Sequence, residues 1–221
     1  AGDLAGALQA ATEAETKFPY LTGFSVLRAI TLSQTGNHAA SMMAFERALV
    51  TAANSNPELL DSDFYLSYGG AAERAGHFVK AAELLKKSIA LDPARSDEAC
   101  NYLAYMWADR GENLAEAEQL IRRALELDPS NGAFLDTLGW VFFRQGRYEE
   151  SLAELLRASE LMQEPDPVVL DHIGDIYGKL GKTPDAILYW NKALQLDPKN
   201  QSITDKLDSH ATPVARQPDS N

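Results

Sequence analysis

The sequence is poor in the residues that ordinarily carry chemistry. Its 221 residues include one cysteine, Cys100, and four histidines. A single thiol excludes an intramolecular disulfide framework, and the apolar helical surroundings of Cys100 predict a buried, inert side chain. There is no G-x-x-x-x-G-K-S/T loop to cradle phosphates, no H-E-x-x-H pair to hold zinc and no C-x-x-C. No cofactor or metal is expected, and with no nucleophile–base pair offered, no catalytic role. Basic residues are the minority, 20 against 32 acidic, for a formal net charge of -12. That field repels a phosphate backbone, which argues against nucleic acid and favours basic or neutral partners, the alternative being simply a soluble acidic surface. No uncharged apolar run is long enough to cross a membrane.

What is present is repetition. A small residue recurs at Gly69, Ala104, Gly139 and Gly174, and a second glycine at Gly76, Gly111, Gly146 and Gly181, a spacing of 35 each time. A further small residue falls at Ala81, Ala117, Ser151 and Ala186, and prolines close the segments at Pro93, Pro129, Pro165 and Pro198. Between them, residues such as Leu135, Leu138 and Phe142 recur at helical spacing and predict one apolar stripe per helix. The physical content is a helix–turn–helix. Glycine supplies the left-handed residue that ends the first helix, and Asp-Pro stops the second. The small residues let two helix backbones approach. No single pair can hide its stripe, so neighbouring pairs must stack.

These segments resemble tetratricopeptide repeats. The best match is Leu170, Ile173, Gly174, Tyr177, Ala186, Trp190, Ala193 and Pro198. The repeat at 97–131 departs by carrying Ala104 for glycine, Trp107 for tyrosine and one extra residue before Ala117. The repeat at 132–166 has two extra residues before Pro165. The resemblance implies an all-α fold, a right-handed α-solenoid, with Trp107, Tyr177 and Trp190 in core places. Residues 62–96, 97–131, 132–166 and 167–200 form four full repeats. Ala29, Leu32, Gly36, Phe45 and Ala48 mark a degenerate repeat over 20–61. Gly2, Leu4, Ala7, Ala11, Ala14 and Pro19 match only a second helix over 1–19, so the chain is expected to begin in mid-repeat, as part of a longer array. Residues 201–210 are expected to form a polar capping helix and 211–221 an extended or mobile tail. Asn200-Gln201-Ser202 is formally a glycosylation sequon, a triplet common by chance.

In this family the first helix of each repeat lines the concave surface, with its fifth, ninth, twelfth and thirteenth places toward the guest. Carried over, that implies a groove with Asn101, Tyr105, Asp109, Asp136, Trp140, Phe143, Arg144, Asp171, Asp175 and Lys179. The lysine/asparagine clamp of chaperone-tail-binding members is replaced here by aspartate or apolar residues. Tyr105, Trp140 and Phe143 would form an exposed aromatic strip beside carboxylates, suited to a basic or apolar segment. The alternative is that these aromatics pack between adjacent first helices. Asp171 and Asp175 share a helix face, while His172 points off it, so a solvated polar face is expected there rather than a metal or acid–base cluster. Lys86-Lys87 and Arg122-Arg123 fall on second helices, toward the convex side, and are expected in last turns, complementing helix dipoles.

The function implied is a non-enzymatic scaffold or adaptor holding a peptide or extended segment of a partner. A structural module assembling by self-association is the alternative. Pentatricopeptide repeats share the period but bind RNA, which the acidic charge opposes. The stretch from Ala108 to Leu152 also resembles arrays in exported bacterial repeat proteins, including envelope lipoproteins that serve as adaptors for proteases. It points toward the bacterial periplasm or cell envelope, with the cytoplasm as the alternative.

Overall fold

The structure, a computed structural model, describes residues 3–210. Gly2 and the tail assigned to 211–221 lie outside the described residues. Among the described residues every regular element is helical. The chain divides into two compact bodies, Ala1–Leu103 and Ala104–Asn221, with the division inside one helix.

The first body holds α1 (Leu4–Lys17), α2 (Thr22–Gln34), α3 (His38–Ser55), α4 (Ser62–Arg74), α5 (Phe78–Leu91) and the start of α6 (Asp97–Arg110). Single 3-10 turns at Pro57–Leu59 and Pro93–Arg95 follow α3 and α5. Its core is aromatic. Phe45 of α3 stacks on Tyr68 of α4 with ring centres 5.4 Å apart, and Phe64 meets Phe45 edge-on at 5.6 Å. Glu46 and Lys80 pair beside these rings, and Arg28 of α2 reaches Glu15 of α1 at 3.1 Å. Cys100 is fully buried, in keeping with an inert thiol.

The second body holds the rest of α6, then α7 (Leu114–Leu127), α8 (Gly132–Arg144), α9 (Tyr148–Leu161), α10 (Pro167–Lys179), α11 (Thr183–Leu196) and α12 (Gln201–His210). Leu135, Leu155, Val169, Ile173 and Ile176 form one buried cluster, and Leu170, Ala186, Trp190, Ala193 and Ile203 a second. Burying one such Leu or Ile side chain stabilises by about 1.5–3 kcal/mol.

One device builds each hairpin. The turn glycines adopt positive φ, between 69° at Gly111 and 82° at Gly76. The next residue's amide then reaches back five residues, as from His77 to the Ala72 carbonyl and from Arg147 to that of Phe142. The first helices α4 and α10 start on side-chain caps: Asp61 accepts from the Phe64 amide, and Asp166 from those of Val168 and Val169. The small places are sterically required. A Cβ on Gly139 would sit 2.7 Å from Leu155, and one on Gly174 2.5 Å from Trp190. Where serine replaces alanine opposite them, its hydroxyl donates across the hairpin: Ser151 to the Gly139 carbonyl at 2.6 Å, Ser41 to that of Ala29 at 2.7 Å. The extra residue before Ala117 is absorbed by Asn113, itself left-handed at φ 47°. The sequence expectation for the paired bases is corrected here. No basic residue lies in the last turn of α5 or α7. Arg122 instead bonds Glu118 and lies over the Phe142 ring, while Lys87 lies over Tyr65.

Candidate partner-binding face

Counted from the helix start, the fifth and ninth places of a first helix lie one turn apart on one face, and the sixth place of the next first helix comes opposite them. This geometry is seen at the α8–α10, α10–α12 and α2–α4 joints, each with a different filling.

At the α8–α10 joint the filling is a buried polar pair. The Nδ1 of His172, sixth in α10, lies 2.8 Å from Oδ1 of Asp136, fifth in α8. Trp140, ninth in α8, stacks on the imidazole at 4.1 Å and on Phe143 at 4.7 Å. Asp136, Trp140 and His172 are 7%, 9% and 6% exposed. The expected exposed aromatic strip is therefore corrected at Trp140 and Phe143, and His172 is buried rather than solvated: Phe143, Trp140 and His172 form a stack between first helices, the alternative packing the sequence left open for these two aromatics. The Nε1 of Trp140 is buried without a hydrogen-bond partner. Burial draws the His172 imidazole down, but the charge and hydrogen bond of Asp136, with Asp171 and Asp175 beyond, hold it above its ordinary value.

At the α10–α12 joint the filling is an ammonium. Nζ of Lys206, sixth in α12, donates to both oxygens of Asp171 at 2.8 and 2.9 Å and to Asp175 at 2.8 Å. Asp175 also accepts from the Trp190 indole at 3.0 Å. Burial, opposed by the Lys206 hydrogen bond and reinforced by Asp175, leaves the Asp171 carboxyl raised. Lys206 was absent from the residues the sequence nominated. The signal for it was available, since it stands 35 residues after Asp171 and His172 stands 36 after Asp136.

At the α2–α4 joint the corresponding places are apolar. Val26 and Ile30, fifth and ninth in α2, line a depression of about 230 Å³ with Phe64, Ser67, Asp61 and Asp63. A second depression of about 420 Å³ adjoins it, walled by Leu21, Phe24, Leu27 and Leu59 with Glu58 at its edge. Leu21 and Leu27 are 45% and 49% exposed. Sequence reasoning missed this face because the segment 20–61 departs from the pattern of the other repeats and its groove places were not carried over.

The other nominated residues sit as follows. Tyr105 is 38% exposed, and Asp109 and Lys179 are exposed. Arg144 bends back so that its guanidinium donates to the Asp109 carbonyl and lies over the Trp140 ring. Asn101, in the first body, is half-buried, and its Oδ1 has no hydrogen-bond partner. Among the described residues no group of three or more His, Cys, Asp or Glu side chains could hold a metal ion. None of their helices is long and apolar enough to cross a membrane.

The family model described as tetratricopeptide repeat matches residues 57–205. The chain belongs to the tetratricopeptide repeat family. A TPR repeat-containing protein of Pseudomonas aeruginosa is 29% identical over 176 residues, covering 79% of this chain and 28% of that protein. The type IV pilus assembly protein PilF of the same organism is 27% identical over 161 residues, covering 70% of this chain and 63% of PilF. The chain thus spans about a quarter of the first relative and just under two thirds of the second. Among solved structures, the Cut9 and Hcn1 hetero-tetramer of the APC/C superposes with a TM-score of 0.77 at 20% identity, over 95% of this chain and 40% of that one. A TPR protein of Thermus thermophilus superposes at 0.69, also with 20% identity, over 86% and 98%. The fold class is the all-α, right-handed TPR solenoid. TPR repeats mediate protein–protein interaction, and their fold is typically a non-enzymatic scaffold.

Proposed function

We propose that this chain is a non-enzymatic adaptor whose first-helix face holds an apolar, basic segment of a partner protein, with its main seat on the α2–α4 face. One observation carries the reading: at the α2–α4 joint the fifth and ninth places, Val26 and Ile30, are apolar and line a depression, whereas those of α8 and α10 hold groups of the chain itself. Glu58, Asp61 and Asp63 rim the two α2–α4 depressions, so an apolar side chain can enter while a neighbouring lysine or arginine meets a carboxylate. Such a face is already formed, so only the guest is ordered on binding. Tyr105 and Asp109 in the second body offer a second point of attachment. One relative is a pilus assembly protein, and a role in bringing together parts of an assembly fits this chain as well.

The test is crosslinked capture from native cells with three baits. Leu27→Asp should lose the specific client, and Tyr105→Ala should weaken its capture. Val79→Asp on α5, where Val79 is 78% exposed, should capture as the unsubstituted chain does. Equal capture by the Leu27 and Val79 variants would show that the client binds elsewhere.

A further inference from the structure

The α10–α12 joint holds more than a structural ion pair. α12 is ten residues long, too short to persist as a helix alone in water. Its seat is narrow. Ile203 is fully buried against Leu170, Ala186, Trp190 and Ala193, Leu207 is half-buried beside it, and the remaining anchors are Lys206 and the His210 ring, whose centre lies 4.9 Å from that of Trp190. Gln201, Ser202, Asp205 and Asp208 to His210 are exposed. The wall that receives α12 therefore selects a short amphipathic helix with an apolar residue, a basic residue three places on, and a second apolar residue next to it. Its two carboxylates face one ammonium, so the pocket has acidic charge to spare and suits a basic side chain.

We propose that α12 is a self-supplied guest, and that a partner presenting a basic amphipathic helix of this pattern displaces it from the α10–α11 end. The proposal rests on the adaptor reading only in treating the fifth and ninth places, here Asp171 and Asp175, as guest-facing. A helix held in the same chain competes at an effective concentration on the order of millimolar. The partner's apparent affinity is reduced by the fraction of chains in which α12 is seated. α12 thereby sets a threshold: only a helix that binds this wall more tightly than α12 does, or one attached to the protein at a second point, gains entry.

The test uses the full chain, the acetylated synthetic peptide of residues 198–210, and the same peptide carrying Lys206→Ala. The reporter is the Trp190 indole N–H resonance, whose partner is Asp175. In the full chain bearing Ile203→Asp, which unseats the resident helix, the peptide should bind at least tenfold more tightly than to the unsubstituted chain. The Lys206→Ala peptide should bind that variant at least tenfold more weakly. Equal affinity for the two chains, no binding to the Ile203→Asp chain, or equal binding of the two peptides would overturn the proposal. If circular dichroism shows that Ile203→Asp unfolds the C-terminal repeat, Lys206→Glu with Ile203 retained carries the same comparison under the same criteria. These readouts touch only the second body. The adaptor test on Leu27 can therefore succeed where this one fails, and the reverse.

Discussion

Asp136 and His172 meet at 2.8 Å between α8 and α10, and Asp171 and Lys206 meet at the same distance between α10 and α12. Both are one rule applied twice: the fifth place of a first helix bonds the sixth place of the next. Carboxylates in places that face a guest in other members of the family are here spent on joining repeats. A buried pair of this kind is costly to break singly, because the partner left behind is desolvated and uncompensated.

The pH dependence follows from the direction of the His172 shift. Burial lowers this imidazole, but Asp136 of α8, with Asp171 and Asp175 of its own helix, raises it above its ordinary 6.5. A group bound more strongly as a cation in the folded chain stabilises fully below its unfolded value. That contribution disappears as pH rises through the folded value. The melting temperature of the unsubstituted chain should therefore fall toward that of His172→Gln as pH is raised from about 6 to about 9. Asp171, also raised, and Lys206 opposite it are common to both chains and cancel in the comparison. A gap between the two curves that stays constant or widens with pH would mean that the pair does not titrate as described.

Trp140 and Tyr105 occupy equivalent ninth places but should behave differently when truncated. Trp140 is 9% exposed and stacked on two rings, so Trp140→Ala should cost about 3–5 kcal/mol of stability, read by urea denaturation. Tyr105 is 38% exposed, and Tyr105→Ala should cost no more than about 1 kcal/mol. A loss of partner capture on Trp140→Ala would consequently report unfolding of the joint as readily as loss of a contact. Similar costs for the two substitutions would contradict the burial difference.

Much of this was legible in the sequence, because the repeat marks are backbone requirements. A glycine at positive φ and a small residue where two helices touch admit few substitutes, so Gly76, Gly111, Gly146 and Gly181 fix the hairpins. The side chains lining the inner face answer to their neighbours one repeat away, and a single repeat does not show whether Asp136 meets solvent or His172. Pairing each fifth place with the residue 35 or 36 positions on would have found both joints. The α2–α4 depression was hidden for a different reason. The segment 20–61 departs from the pattern that marks the other repeats, so its inner-face places, Val26 and Ile30 among them, were never nominated.

Asp136→Asn keeps the shape of its joint and removes the charge. The His172 imidazole would then keep the burial that lowers it and lose the main influence that raises it, so it should titrate below its value in the unsubstituted chain. Observed by NMR of the ring carbons, a downward displacement is expected. Stability should drop by about 1–3 kcal/mol at acid pH, where the lost charge counts most. An unchanged His172 titration would assign the raised value to Asp171 and Asp175 instead.

Gly174 and Gly178, one turn apart on α10, face the same Trp190 and should respond oppositely to a methyl group. At Gly174 the new Cβ would lie 2.5 Å from Cδ1 of Trp190 and 2.6 Å from Nε1. That indole cannot retreat cheaply, since it is 2% exposed and its N–H is bonded to Asp175. Gly174→Ala should lower stability by about 1–3 kcal/mol. At Gly178 the nearest atoms are 3.5 Å and 3.7 Å away, ordinary contact. Gly178→Ala should instead stabilise by about 0.5–1 kcal/mol, because alanine loses less conformational freedom than glycine in a helix. Thermal melts of the two variants should move in opposite directions. A rise for Gly174→Ala would mean that α10 and α11 do not approach closely enough to need glycine, and the steric reading of the 35-residue mark would fail with it.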